Sequence, residues 1–297
     1  MPINQWSTQS IKTWCPGCPN HMILNAVEET MKKLINEDSI RYSQENFAMS
    51  AGVGCHAKIF DYLNISGLYG LHGRAIPTAL GIKLGNPWLT VMAFAGDGDT
   101  YSEGMAHFIH AGRYNADMTL FVHDNQSFSL TTGQSTPTSQ EGFVTKAEPA
   151  GDANYPINPI KLALASDISF ISRTNARDIN HMTEIFCKAI KHKGFSYVEI
   201  IQDCLVFNPD MNNKDELMYK IVDNKDKKKA EELASEWDYN SKKGKIPIGV
   251  IYQIEKPRLE EKWPILNEVK KGLSGWKGFK KFPDTHVKGG KSLADKY

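Results

Sequence analysis

Leu-Thr-Val-Met-Ala-Phe-Ala-Gly-Asp-Gly-Asp, residues 89–99, is the stretch from which the rest of the chain can be read. Leu89 to Ala95 is an apolar run of strand length, the pattern of a strand covered on both faces. It breaks into Gly96-Asp97-Gly98-Asp99. From Ser102 a helical spacing follows, with Met105, Ala106, Phe108 and Ile109 as its apolar stripe. Met118 to His123 is the next strand and runs into Asp124-Asn125. Upstream, Asn20 to Asn36 repeats apolar residues at helical spacing (Ile23, Ala26, Val27, Met31, Leu34). Residues 47–54 read as a strand entering a glycine-rich turn, and His72 to Leu84 as a helix stopped by Gly85-Asn86-Pro87. Downstream come a strand over 167–173, a helix over 178–193 with a basic last turn before Gly194, and a strand over 197–202. Strands alternating with helices of this length predict an α/β fold: a doubly wound, mainly parallel sheet with helices on both faces.

The chain has 297 residues, of which 41% are hydrophobic, enough for one large domain or two ordinary ones. Lys and Arg number 35 against 34 Asp and Glu, a net charge of +1, so no basic field points to nucleic acid. No apolar run approaches the roughly 20 residues of a membrane span. MPINQWSTQS has neither the basic nor the apolar region of a secretory signal. The expected location is cytoplasmic, where cysteines stay reduced. Between Met211 and Lys245 the composition changes to 9 Lys and 8 acidic residues, which reads as a solvated helical excursion or a mobile arm. Ile246 to Gln253 recovers strand character. The tail beyond it, with Trp263, Trp276 and Pro283, has little periodicity and suits packing on another surface. The expected organisation is a catalytic domain over 1–210 and a C-terminal extension over 211–297 that makes subunit contacts.

In an open parallel sheet, ligands bind beyond the carboxyl ends of the strands. Asp97 and Asn125, 28 residues apart with one helix between them, should therefore stand side by side on one rim. A carboxylate, an amide oxygen and a nearby carbonyl suit Mg²⁺ or Ca²⁺. The flanking glycines admit a diphosphate to the backbone, and the following helix N-terminus favours its charge. Cys15 and Cys18 form a C-x-x-C, a spacing shared by zinc and iron–sulfur sites. Cys187, within a predicted helix, reads as a buried small hydrophobe.

The strand, Gly-Asp-Gly, helix, strand and Asn together resemble the thiamine diphosphate motif. Five segments in order narrow the likeness: Trp14-Cys15-Pro16-Gly17-Cys18, Gly52-Val53-Gly54-Cys55, Leu71-His72-Gly73-Arg74-Ala75, Gly96-Asp97-Gly98-Asp99 and Leu130-Thr131-Thr132-Gly133-Gln134. Over roughly residues 12–210 the chain is similar to the beta subunit of 2-oxoacid:ferredoxin oxidoreductases, and Ile248 to Tyr252 resembles that family's C-terminal strand. The resemblance implies the pyrophosphate-type domain of the thiamine diphosphate-binding fold. It implies Mg²⁺ held by Asp97, Asn125 and the Ser127 carbonyl, and a cofactor cradle of Gly54, Cys55, His72, Gly96, Asp97, Gly98, Asp99, Asn125, Ser127, Leu130 and Thr131. It also implies one [4Fe–4S] cluster on Cys15, Cys18, Cys55 and Cys204, since four thiolates are what such a cluster needs. Among catalytic candidates, Lys58 would hold a 2-oxoacid carboxylate as a point charge, and His72 and Arg74 would lie near the diphosphate or substrate. The implied activity is CoA-dependent oxidative decarboxylation, with electrons passed through the cluster to ferredoxin. The thiazolium ring supplies the electron sink. An alpha subunit would supply the Glu that activates the aminopyrimidine.

Alternatives stand beside each of these readings. Lys58 could be a surface lysine, and His72 or Arg74 a helix cap. Asp99, His107 and His110 could be structural, and Thr131 and Thr132 turn formers. Pro19 stands where many family members have Gly, and Ser127-Phe128 where Tyr-Gly is common; the second change touches the loop facing the reacting carbon and bears on substrate range. Trp-Cys-Pro-Gly-Cys leans toward 2-oxoglutarate or a broad 2-oxoacid range over pyruvate. A thiamine-dependent lyase or carboligase would not need the four cysteines. A zinc-stabilised nucleotide-binding module would use Gly-Asp-Gly only to grip phosphate.

Overall fold

The computed structural model describes residues 6–266, apart from Lys242 and Ile265. In chain order the helices are α1 (Asn20–Glu37), α2 (Ile59–Tyr62), α3 (Ala75–Gly85), α4 (Met105–Tyr114), α5 (Pro159–Ala165), α6 (Ile179–Lys191), α7 (Lys227–Ser235) and α8 (Leu259–Lys262). The strands are β1 (Phe47–Ala51), β2 (Ser66–Tyr69), β3 (Thr90–Gly96), β4 (Met118–Asp124), β5 (Phe170–Asn175), β6 (Phe195–Ile201), β7 (Met218–Lys220) and β8 (Ile246–Gln253). They form one eight-stranded sheet in the order β2-β1-β3-β4-β6-β5-β8-β7. Every pairing is parallel except β5 with β8.

β1, β3, β4 and β6 are buried at every position but the first of β3, which explains their unbroken apolar reading. α1 and α6 cover one face, around Ile23, Val27, Met31, Met182 and Phe186. α3, α4, α5 and α7 cover the other, around Ala79, Phe108, Ile160 and Leu233. The fold is the predicted α/β class, and no helix among the described residues is long and apolar enough to cross a membrane.

Several boundaries differ from the sequence reading. The predicted helix from His72 begins only at Ala75, because Gly73 takes a φ of +72° and the Leu71–Arg74 turn closes first. The strand expected from Asp167 begins at Phe170; Asp167 itself is left-handed, with φ +59°. α4 presents Phe108, Ala111 and Gly112 to the core, while Ala106 and Ile109 of the expected stripe are exposed. The missing phase comes from a widened turn over Asp99–Glu103, where the Gly104 N–H donates to the Asp99 carbonyl at 3.1 Å, five residues back.

The charged excursion is helical over α7, but its far end is not solvated. Trp237 and Tyr239 are fully buried, stacked with ring centres 3.9 Å apart. They close over Arg173 of β5, whose guanidinium lies 5.2 Å from the Trp237 ring centre. Arg173 pairs with Glu199 of β6 at 2.5 Å and donates to the Tyr239 hydroxyl at 2.7 Å; that hydroxyl donates to Glu199. Arg173→Ala leaves the Glu199 carboxylate buried without its cation, so a loss of about 3–5 kcal/mol is expected in a denaturant titration. A loss below about 1 kcal/mol would show that Tyr239 alone satisfies Glu199. Trp263 is exposed, and Trp276 and Pro283 lie outside the described residues.

Candidate active site

β3 and β4 are adjacent and parallel, with Gly96 opposite His123, so Asp97 and Asn125 leave the sheet side by side. The ends of β1 and β6 bring Gly52–Cys55 and Gln202–Cys204 to the same rim. Between these ends opens a cleft of about 470 Å³, counting its mouth.

Asp97 forms part of its floor and is 3% exposed. Its Oδ2 accepts from the Thr136 hydroxyl at 2.6 Å and the Thr138 hydroxyl at 3.0 Å. Burial pushes its carboxyl up to about 6 against those two bonds. Asp124, fully buried and sharing the Thr138 hydroxyl at 3.0 Å, is pushed well up by burial and then by the charges of Asp97 and Glu199. The Thr138 hydroxyl joins two buried carboxyls, each of which makes ionising the other costlier. The Asn125 Oδ1 accepts from the Ser127 N–H at 3.0 Å, and its Nδ2 donates to Ser129 at 3.0 Å. Between them Gln126 adopts φ +55°, left-handed for a side-chain-bearing residue. The Ser127 hydroxyl is buried without a partner.

Asp99 faces inward. It accepts from the Gly73 N–H and lies 3.3 Å from His56 Nε2 and 4.0 Å from His72 Nδ1. A Cβ at Gly52 would sit 1.7 Å from this carboxylate, so glycine there is a steric requirement. His72 also reaches Glu103 at 2.8 Å. Burial, and then the charge of His56, holds His123 well below the usual histidine range. Neutral His123 is assigned the Nδ1–H tautomer by its 2.9 Å bond to Asn20 Oδ1, which leaves Nε2 as a buried acceptor without a partner.

Cys55 lines the cleft. Burial pushes the Cys18 thiol up to about 11, and Cys55, Cys15 and Cys204 all lie near enough to raise it further. Burial also raises Cys55, with Lys58 pulling it back. The Trp14 indole N–H ties the C-x-x-C segment to the Cys55 carbonyl at 2.6 Å. Cys187 packs with the α1–α6 core, away from this group. Among the described residues, no set of three or more His, Cys, Asp or Glu is arranged to hold a metal ion; what the site offers is its donor chemistry and placement.

Of the sequence-derived residues, Gly54, Cys55, His72, Gly96, Asp97, Gly98, Asp99, Asn125, Ser127, Leu130 and Thr131 all line the cleft. Lys58 instead donates to the Thr13 carbonyl at 3.2 Å, and Arg74 to the Glu103 carbonyl at 3.1 Å, both off the cleft wall. His110 stacks on Tyr114, and Thr131 bonds Gln134 within its own turn. His56, His123 and Gln202 line the cleft without having been singled out. A polar residue directly after Cys55 and another at the end of β6 were the available signals. Thr136 and Thr138 gave none.

Residues 52–200 match the family described as thiamine pyrophosphate enzyme, C-terminal TPP binding domain. The chain is 38% identical over 256 residues to the 2-oxoacid:ferredoxin oxidoreductase subunit beta of Saccharolobus solfataricus, covering 82% of each. It is 40% identical over 202 residues to the 2-oxoglutarate oxidoreductase subunit KorB of Mycobacterium tuberculosis, covering 68% of this chain and 52% of that one. Among solved structures, 2-oxoglutarate:ferredoxin oxidoreductase from Magnetococcus marinus, with 2-oxoglutarate, coenzyme A and succinyl-CoA bound, superposes with a TM-score of 0.81 at 31% identity. That match covers 93% of this chain and 91% of the other. Matching along most of its length, this chain belongs to the family of 2-oxoacid:ferredoxin oxidoreductase beta subunits.

Proposed function

We propose that this chain is the catalytic half of an enzyme that oxidatively decarboxylates a 2-oxoacid, with 2-oxoglutarate or a broad range favoured over pyruvate. The 2-oxoacid and coenzyme A become acyl-CoA, CO₂ and a proton, and two electrons leave singly to ferredoxin. The observation that carries this reading is the group of thiols from Cys15, Cys18, Cys55 and Cys204 beside a cleft floored by Asp97 and Asn125. Thiamine diphosphate supplies the electron sink when bound. Asp97, Asn125 and the Ser127 carbonyl are the hard oxygens that would hold its Mg²⁺. The placement of Asp97, Asn125 and Ser127 together on the cleft wall supports this. A Cβ at Gly98 would strike the Phe128 ring at 2.1 Å, so only glycine keeps that wall closed against the backbone. The four cysteines, with backbone N–H donors such as Phe207 to Cys204 Sγ at 3.4 Å, suit a [4Fe–4S] cluster. His72, Leu130 and Thr131 would shape the substrate side, with Lys58 flanking the thiolates. Exposed Leu71, Leu130 and Val206, on the loops carrying His72, Thr131 and Cys204, support an alpha subunit docking there to complete the site.

The test is anaerobic purification with the co-expressed alpha subunit, followed by iron, sulfide and zinc analysis and a ferredoxin-reduction assay. About four iron and four sulfide per chain, with ferredoxin reduced only when both a 2-oxoacid and coenzyme A are present, is the expected result. One zinc without sulfide would end the redox reading. CO₂ release with no iron would make the protein a lyase.

A further inference from the structure

The turn that carries Cys204 and the loop that carries Asn125 are joined by one side chain. Asn208 is 8% exposed and sits four residues after Cys204. Its N–H donates to the Cys204 carbonyl at 3.0 Å, closing that turn as a short antiparallel bridge. Its Nδ2 donates to the Asn125 carbonyl at 3.0 Å, across 83 residues of sequence. The same loop is held from elsewhere by Ser139, whose hydroxyl donates to the Gln126 carbonyl at 2.7 Å, and by Lys214, which donates to Gln126 Oε1 at 2.9 Å. Phe207, between the two ends of the cysteine turn, fills the space over Gly133, where a Cβ would meet its ring at 2.7 Å. The thiolate turn is thus packed at two points against the loop that follows β4.

From this geometry we infer that Asn208 is a positioning residue, one that holds the left-handed Asn125–Ser127 loop in shape from the thiolate turn and so couples the cluster site to the metal–diphosphate site. The inference rests on the function proposed above. A loop held at φ +55° by Gln126 needs outside bonds to stay there. Asn208 supplies the one that originates beside a cysteine. Because linkage is reciprocal, whatever fixes the Cys204 turn also favours the metal-binding shape of the Asn125 loop.

The test uses the complex with its alpha subunit, purified anaerobically, comparing wild type with Asn208→Ala and Asn208→Asp. The aspartate keeps the side-chain shape and the backbone bond but replaces the donor with a charged acceptor, so alanine measures the lost bond and aspartate sets an upper bound on the loss. Binding of magnesium–thiamine diphosphate, followed by fluorescence quenching, is expected to weaken about tenfold in the alanine variant, the typical effect of one buried hydrogen bond, and no less in the aspartate variant, with iron and sulfide unchanged. The electron paramagnetic resonance spectrum of the reduced cluster should change on adding the cofactor to wild type and not on adding it to the variants. Binding within twofold of wild type would overturn the inference. So would weakened binding with the spectral response intact, since that would make Asn208 a local support without coupling. Failure of wild type itself to bind the cofactor would instead overturn the functional reading.

Discussion

Asp97→Ala is expected to abolish magnesium-dependent retention of thiamine diphosphate while the cluster and the fold survive. Outer-shell partners of a metal ligand are typically worth about 10–100-fold in affinity. Removal of the only carboxylate in the proposed ligand set should therefore cost at least about a hundredfold. The fold survives because Asp97 is a burden to the protein on its own. Burial raises its carboxyl from 3.8 to about 6, so the folded chain binds the proton more tightly than the unfolded chain does. Below about pH 4 both states are protonated and nothing is lost. As the pH rises through 6 the ionised carboxylate becomes a penalty, on the order of 3 kcal/mol at about 1.4 kcal/mol per unit. Cofactor-free wild type should thus lose stability between pH 4 and pH 7 from this group, and the alanine variant should lose less. At pH 8 the cofactor-free variant should melt no lower than wild type, and added magnesium with cofactor should raise the melting temperature of wild type alone. Unchanged cofactor binding by the variant would show that the metal is held elsewhere.

The same balance explains what the sequence did and did not disclose. A strand covered on both faces must be apolar along its length, so β3 and β4 were legible, and the sequence alone placed Asp97 beside Asn125 on one rim. β2 was not legible: Ser-Gly-Leu-Tyr at the sheet edge is mostly exposed and carries no period. α5 is only seven residues long and starts on a proline. Trp237 and Tyr239 lie at the end of a segment whose charge density argued for solvent. Their burial depends on Arg173, an ion buried in a strand, and the Glu199 partner on the neighbouring strand makes that possible. The site divided in the same way. Residues fixed by their position after a strand could be found. Thr136 and Asn208 act across 39 and 83 residues through one hydrogen bond each to the site, and Thr138 across 41 and 14 through two, and isolated bonds leave no pattern in a chain. Grouping Cys55 and Cys204 with the C-x-x-C required the family resemblance, because neither belongs to a second such motif.

Cys204→Ala and Cys187→Ala should separate the thiol group from the cysteine outside it. The first is expected to reduce iron and sulfide from about four per chain to near zero and to bring ferredoxin reduction to background. The second should change neither. The difference follows from electrostatics. Cys18, with its thiol up at about 11, has the other three sulfurs as neighbours that oppose its ionisation, so four thiolates cannot coexist near neutral pH without a positive core to hold them. Assembly therefore releases protons. Reconstitution from iron and sulfide should weaken as the pH falls, and fail entirely when Cys204 is missing. Cys187 is also raised by burial, but its neighbours are Lys191, Lys33, Glu37 and Thr30, with no second sulfur among them. Its thiol can stay protonated within the α1–α6 packing at no cost. Iron retained in full by Cys204→Ala, or lost by Cys187→Ala, would mean that the cluster ligands had been assigned to the wrong cysteines.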